Sequence, residues 1–276
     1  MIIQSNYASL EAPLFRKLSD NQLERIHNAS LEILERTGVR MFEPEALELL
    51  KRKGVTADDG NRVRIPPGLV EWALGIAPKR TTLCDRDGRR VMPLERHNTF
   101  HGTGSDCPYV IDLRSGVRRQ GTLQDVIDAT RVCDALPNID FLMSFCIPHD
   151  LPPETYDRYQ MKAMLENSVK PILFVTLEFE GTKKAVAMAE AVAGGAEALR
   201  RNPICACYIN VTSAMRHNQE ALQKLLFMAE KGLPTTYTPV VLRGASGPVT
   251  PAGAIALANA GELAGLVVAQ LKREGA

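Results

Sequence analysis

From residue 139 to the end of the chain, four apolar runs alternate with four helical stretches. Ile139 to Ile147 precedes Pro153 to Asn167, and Pro171 to Leu177 precedes Thr182 to Arg200. Ile204 to Thr212 then precedes Asn218 to Lys231, and Thr235 to Leu242 precedes Thr250 to Lys272. Near-continuous apolar strands separated by helices are buried on both faces, so this pattern predicts a parallel sheet covered by helices. At roughly 34 residues per unit the spacing fits a (β/α)₈ barrel. The expected fold is therefore α/β of the TIM-barrel type, with the first four β/α units over 138–276 and a mixed α/β extension over 1–137. Half a barrel exposes two strand edges and an apolar face, which a chain must cover by continuing or by assembling; a homo-oligomer is expected.

The extension lacks a repeat but carries clear local signals. Ser19 and Gln22 form a capping-box pair before a helix running to Thr37, with Gly38 past its end. Pro44 opens a short helix carrying Leu47 and Leu50, Asn61 to Ile65 alternates as a strand, and Pro66-Pro67 opens a third helix through Ile76. Asp87-Gly88 predicts a hairpin between Thr81–Asp85 and Arg89–Leu94, and Arg114-Ser115-Gly116 a second between Tyr109–Leu113 and Val117–Gln120. Thr122, paired with Asp125, starts a helix that Pro137 ends.

Composition narrows the function classes. Thirty-three basic against thirty-two acidic residues leave a net charge of +1, which implies no polyanion partner electrostatically, so no nucleic-acid partner is expected. Six cysteines, none in a paired short-spacing framework, suit a reducing cytoplasm, and Met1 to Asn6 lacks the basic and apolar segments of an export signal. Pro251 to Leu271 is apolar, but Asn259, Glu262 and Gln270 interrupt it, and a buried helix rather than a membrane span is expected.

In a parallel barrel the chemistry sits at the C-terminal strand ends. The polar residues there are Ser144, Cys146, His149 and Asp150; Glu178; Asn210, Thr212 and Ser213; and Tyr237, Thr238 and Arg243. Of these, Glu178, Asn210 and His149 are the catalytic candidates. Asp106, in the loop Gly102-Thr103-Gly104-Ser105-Asp106, offers a carboxylate that a cationic ligand would meet. His97 and His101 flank that loop without a third ligand at metal spacing. Cys205 and Cys207, two apart on a strand, lack partners for a zinc site, so no metal is expected. Cys107 occupies the third-glycine position of a would-be dinucleotide loop and excludes that reading.

Four separated segments resemble the trimethylamine methyltransferase family: Ile26 to Val39, Gly102 to Asp106, Thr122 to Asp140 and Gly247 to Gly253. The resemblance implies a (β/α)₈ enzyme that moves a methyl group from a methylated amine, trimethylamine or a quaternary amine such as a betaine, to the cobalt of a separate corrinoid protein. It implies no cofactor bound by this chain itself, since the Asp-x-His-x-x-Gly signature of corrinoid carriers is absent. For a quaternary ammonium substrate, Phe100, Tyr109, Phe145 and Tyr237 are expected to supply aromatic faces, with Asp106 or Glu178 as counter-charge. The pyrrolysine position of the trimethylamine branch is expected beyond Ala276, so the two branches are not separated by this sequence. The rival reading is a non-catalytic half-barrel derived from that family that binds a partner.

Overall fold

The computed structural model describes residues 16–276; the Met1 to Asn6 stretch lies outside them. The chain divides into two compact units, one over Lys79–Cys207 and one over 16–78 together with Tyr208–Ala276. The boundary expected at 137/138 falls inside the first of these.

In the first unit, β4 (Thr81–Cys84) and β5 (Arg90–Leu94) form the hairpin expected around Asp87-Gly88, with Gly88 at φ 80°. A second hairpin pairs β6 (Tyr109–Ile111) with β7 (Arg118–Gln120). Helix α4 (Leu123–Ala135) begins at Thr122 with the full capping box: the Thr122 side chain takes the Asp125 amide and the Asp125 carboxylate takes the Thr122 amide. Helix α5 (Tyr156–Asn167), strand β8 (Ile172–Phe174) and helices α6 (Phe179–Ala193) and α7 (Ala196–Arg201) follow. The single helix expected over Thr182 to Arg200 is two helices, because Gly194 and Gly195 adopt φ of 88° and 123° and end the first one.

The first expected strand, Ile139 to Ile147, is not continuous. Leu142 bridges Ile172 in parallel, while Phe141 and Cys146 bridge Gly102 and Cys107. Phe145 between them sits at φ 63°, a left-handed conformation that breaks an extended run. Strand β8 pairs in parallel with the start of β9 (Cys205–Val211), so three consecutive segments run side by side as a parallel array requires. Leu83 and Met92 of the hairpin pack with Ala206, Leu173, Phe141 and Phe100 in one apolar cluster.

The second unit is built on α9 (Pro251–Lys272), which starts at Thr250 with Pro251 in its first turn. Its buried face is rich in Ala, Gly and Val and packs against α1 (Asp20–Glu32), α3 (Pro67–Ile76) and α8 (Gln219–Lys231). Helix α1 starts at the Ser19–Gln22 capping box and passes into a π-helical turn, Ile33–Thr37, that Gly38 ends. Asn259 of α9 donates to Ser30 Oγ of α1 at 3.0 Å, which satisfies the polar group that interrupts the apolar run. Among the described residues α9 is the one helix long and apolar enough to cross a membrane, and half of its most apolar window is buried within the protein. A small sheet orders β10 (Arg216–His217), β1 (Val39–Met41), β3 (Arg62–Val63) and β2 (Ala57–Asp58), flanked by α2 (Pro44–Arg52). Strand β11 (Thr235–Pro239) lies beside β9. The protein is mixed α/β, and among the described residues its small sheets do not close into a barrel.

Candidate active site

In the first unit, the loop holding Asp106 runs beside the segment holding Phe145. The Phe145 amide donates to the Gly104 carbonyl (3.0 Å), the Cys107 amide to the Phe145 carbonyl (3.2 Å) and the Ile147 amide to the Cys107 carbonyl (2.9 Å). Asp106 has φ 61° and Phe145 φ 63°, so two non-glycine residues are held left-handed on adjacent segments. Such conformations cost on the order of 1–3 kcal/mol and persist where the surroundings over-determine them, often at functional sites. Phe145 is 39% exposed although its neighbours Ser144 and Cys146 are buried. Ser105 Oγ donates to Asp106 Oδ2 at 2.9 Å.

Helix α5 is clamped to these segments at its first turns. Gln160 Nε2 donates to the Cys146 carbonyl (2.8 Å), and Asp157 Oδ2 accepts from the Leu177 amide (3.1 Å) just past β8. Arg158 donates to Glu178 Oε1 at 3.2 Å, and Glu178 is the residue before α6. Burial first, and then the carboxylates of Asp106 and Asp157, raise the Tyr156 phenol above its ordinary value. The start of α5 thus joins Asp157 to the Leu177 amide and Arg158 to Glu178, while the Asp106 loop runs along the Phe145 segment.

Other expected residues of this unit lie elsewhere. Phe100 packs half-buried in the cluster under the β4–β5 hairpin. Tyr109 lies on the β6–β7 hairpin with the Arg118 guanidinium 3.7 Å from its ring centroid, so one face already carries a cation. His149 is exposed; its Nδ1 is 3.0 Å from the Ile147 carbonyl, and Asp150 beside it accepts the Leu123 amide at 2.9 Å, adding a second cap to α4.

In the second unit, Asn210 and Thr212 are exposed on one face of β9 and just past it, while Ile209 and Val211 are buried on the other. Tyr237 shares a 2.7 Å hydrogen bond with Nδ1 of His217, their rings lying 8° from parallel with centroids 5.8 Å apart. The Tyr237 ring also lies against Gly265 of α9, where any side chain would meet it. Burial lowers the His217 imidazole to about 4 and raises the Tyr237 phenol, so both are neutral near pH 7.

The profile of the trimethylamine methyltransferase (MTTB) family matches residues 3–276. The chain belongs to that family. Among its relatives in the trimethylamine methyltransferase family, the trimethylamine methyltransferase MttB of Desulfitobacterium hafniense (strain DSM 10664 / DCB-2) is 29% identical over 276 residues, covering 100% of this chain and 56% of that protein. The glycine betaine methyltransferase of Desulfitobacterium hafniense (strain Y51) is 27% identical over 94% of this chain and 54% of its own length. The trimethylamine methyltransferase MttB1 of Methanosarcina mazei is 29% identical over 99% of this chain and 56% of its own length. The chain thus spans about half the length of the relatives it matches.

Sequence reasoning passed over Tyr156, Asp157, Arg158 and His217. The first three open α5 directly after the loop that leaves Phe145, a position where helix starts line the strand ends. That placement was the available signal. His217, just ahead of the Asn218 cap of α8, left only a polar residue in a short connection to notice.

Proposed function

We propose that this chain takes part in moving a methyl group from a methylated amine, trimethylamine or a betaine-type quaternary amine, to a corrinoid held by a separate protein. The observation that supports the reading is that Asp106 and the exposed Phe145, both left-handed, stand on adjacent segments tied by three backbone hydrogen bonds. A carboxylate beside an exposed aromatic face suits a cation too substituted to donate many hydrogen bonds. We read Ile139 to Ile147, β8, β9 and β11 as the first four strands of a half-barrel, with Glu178 following the second of them.

A reduced corrinoid supplies the electron pair that takes the methyl carbon, while the C–N bonding pair stays with the departing amine. The chain's own work is to hold the ammonium so that one methyl group points outward. Asp106 balances its charge, and Phe145 covers an N-methyl face and excludes water there. Glu178, held by Arg158, offers a second carboxylate in this reading. The chain binds no cofactor itself in this reading, and its partner is the corrinoid protein.

The test is methyl transfer from trimethylamine, dimethylamine, glycine betaine and other quaternary amines to chemically reduced cobalamin, followed in the visible spectrum. At least one amine is expected to be demethylated, and Asp106→Asn to slow transfer about 10²-fold, as for loss of one aligned electrostatic partner. Transfer from none of them overturns the reading and leaves a non-catalytic binding protein.

A further inference from the structure

Cys107 and Cys146 stand opposite one another in a parallel β-bridge. The Cys107 amide donates to the Phe145 carbonyl at 3.2 Å and its carbonyl accepts the Ile147 amide at 2.9 Å, so the two bonds bracket Cys146. Residues opposed in this way carry their side chains on one face, with Cα atoms about 5 Å apart by the spacing of neighbouring strands. That separation lies inside the window, roughly 4.4–6.8 Å, over which a disulfide closes. Other cysteines are set differently: Cys84 is opposite Arg90, Cys205 opposite Ile172 and Cys207 opposite Phe174. Each member of the opposed pair also directly follows a left-handed residue of the candidate site, Cys107 after Asp106 and Cys146 after Phe145.

The two thiols differ in access. Cys107 is exposed, whereas Cys146 is buried with Val110, Val126 and Ala163 and packs against Gly121. Burial first, and then the charges of Asp125 and Cys107, push the Cys146 thiol up to about 11. We propose that Cys107 and Cys146 form a peroxide-responsive dithiol that closes reversibly to a disulfide and fastens the two segments of the candidate site. The exposed Cys107 sulfur attacks a hydroperoxide: the O–O bond breaks, one oxygen joins the sulfur as a sulfenic acid, and the other leaves as water or an alcohol. The Cys146 sulfur then displaces that hydroxyl, which departs as water with the thiol proton. Two thiols are thereby oxidised by two electrons and the peroxide is reduced. Proximity across the bridge compensates for the weak acidity of the buried thiol. Closure brings the β-carbons to about 3.8 Å, closer than opposed strand residues ordinarily stand, so it shifts Asp106 and Phe145. The effect on catalysis rests on the methylated-amine reading; the cross-link itself does not.

The test treats the reduced full chain with equimolar hydrogen peroxide, blocks remaining thiols and maps the peptides by mass. A joined peptide containing Cys107 and Cys146, lighter by two hydrogens and separated again by dithiothreitol, is expected. Cys107→Ser, at an exposed position, is expected to abolish it, and Cys146→Ala to leave a sulfenic acid on Cys107 that dimedone traps. In the oxidised chain the Phe145, Cys107 and Ile147 amides are expected to exchange about tenfold more slowly. Methyl transfer from trimethylamine or glycine betaine is expected to slow at least about tenfold on oxidation, as for a small displacement of positioning groups, and to recover with dithiothreitol. Sulfenic or sulfinic acid on Cys107 with Cys146 left as a thiol, or a Cys107 disulfide between two copies, overturns the inference. A cross-linked chain with unchanged amide exchange overturns the fastening, and one with unchanged transfer overturns the control of catalysis. A reduced chain that transfers from no amine overturns the methylated-amine reading, while the peptide map and amide exchange still decide the cross-link.

Discussion

His217 is fully buried, and its imidazole resists protonation until about pH 4. In the unfolded chain a histidine titrates near 6.5, so the unfolded state takes up a proton first as the pH falls. Stability from this group is complete above about pH 6.5, declines towards pH 4 and stays level below it, a loss of about 3 kcal/mol. Urea unfolding midpoints measured from pH 7 to 4 are expected to fall in the wild type and to flatten in His217→Phe. Asp125 acts in the next window down. The Arg119 fork, at 2.7 and 2.8 Å, together with the Thr122 hydroxyl and amide, holds its carboxyl at about 2. Its folded value lies below its unfolded one, so its contribution is present above about pH 4 and is lost as the pH falls through 2. Asp125→Asn is expected to cost about 1 kcal/mol at pH 7, the worth of a helix cap, and the difference from wild type to vanish near pH 2. Thiol chemistry separates by burial in the same way. Burial pushes Cys146 up to about 11 and Cys205 up to about 12, while Cys107 is exposed. Iodoacetamide at pH 8 is expected to label Cys107 and to leave Cys146 and Cys205 unmodified, as peptide mapping would read directly.

At the scale of elements, α9 shows why small residues recur in a buried helix. A side chain at Gly265 would run into the Tyr237 ring, and one at Gly261 would come within 2.8 Å of the Ala214 backbone. Gly265→Ala is expected to lower stability by about 1–3 kcal/mol, the cost of overpacking, despite alanine's better helix propensity. Thermal unfolding followed by circular dichroism measures it, and a rise in midpoint would show that the ring yields freely. Helix starts were legible because their signals are local. Ser19–Gln22, Thr122–Asp125, Pro44 and Thr250-Pro251 all stand where the sequence puts them. The break at Gly194-Gly195 was hidden by the apolar stripe that continues across it, and periodicity alone does not report backbone sign. The first strand failed for a related reason: Ile139 to Ile147 is apolar enough to read as extended, while Phe145 turns left-handed through hydrogen bonds to a loop forty residues earlier. The site shared that fate. Asp106, Phe145 and Glu178 could be picked out as polar or aromatic residues at strand ends, but Tyr156 and Asp157 gain their character from Asp106 and Leu177, which lie far away in sequence.

At the scale of the whole molecule, each unit leaves apolar side chains in solvent. In the first unit Ile111, Leu113 and Val117 project from the β6–β7 hairpin, Leu113 at 99% exposure. In the second, Val240, Leu242, Val249 and Ile255 are exposed around the connection from β11 to α9. Strand β11 ends the order β11-β9-β8, and an edge strand bordered by apolar residues is a surface that other chain tends to cover. A second copy of the chain offers that cover. Purified alone, the 276-residue chain is therefore expected to self-associate in sedimentation velocity, with the mean mass rising with concentration. Leu242→Glu combined with Val249→Glu is expected to shift it towards monomer, because burying an unpaired carboxylate costs more than the apolar contact returns. Leu113→Glu on the hairpin of the other unit serves as the comparison. Dissociation by the Leu242/Val249 pair alone assigns the contact to the β11 edge, and dissociation by Leu113→Glu alone moves it to the hairpin. A wild-type chain that stays monomeric at every concentration would show that these side chains need no cover, and would remove the physical ground for reading β11 as an edge that recruits a partner.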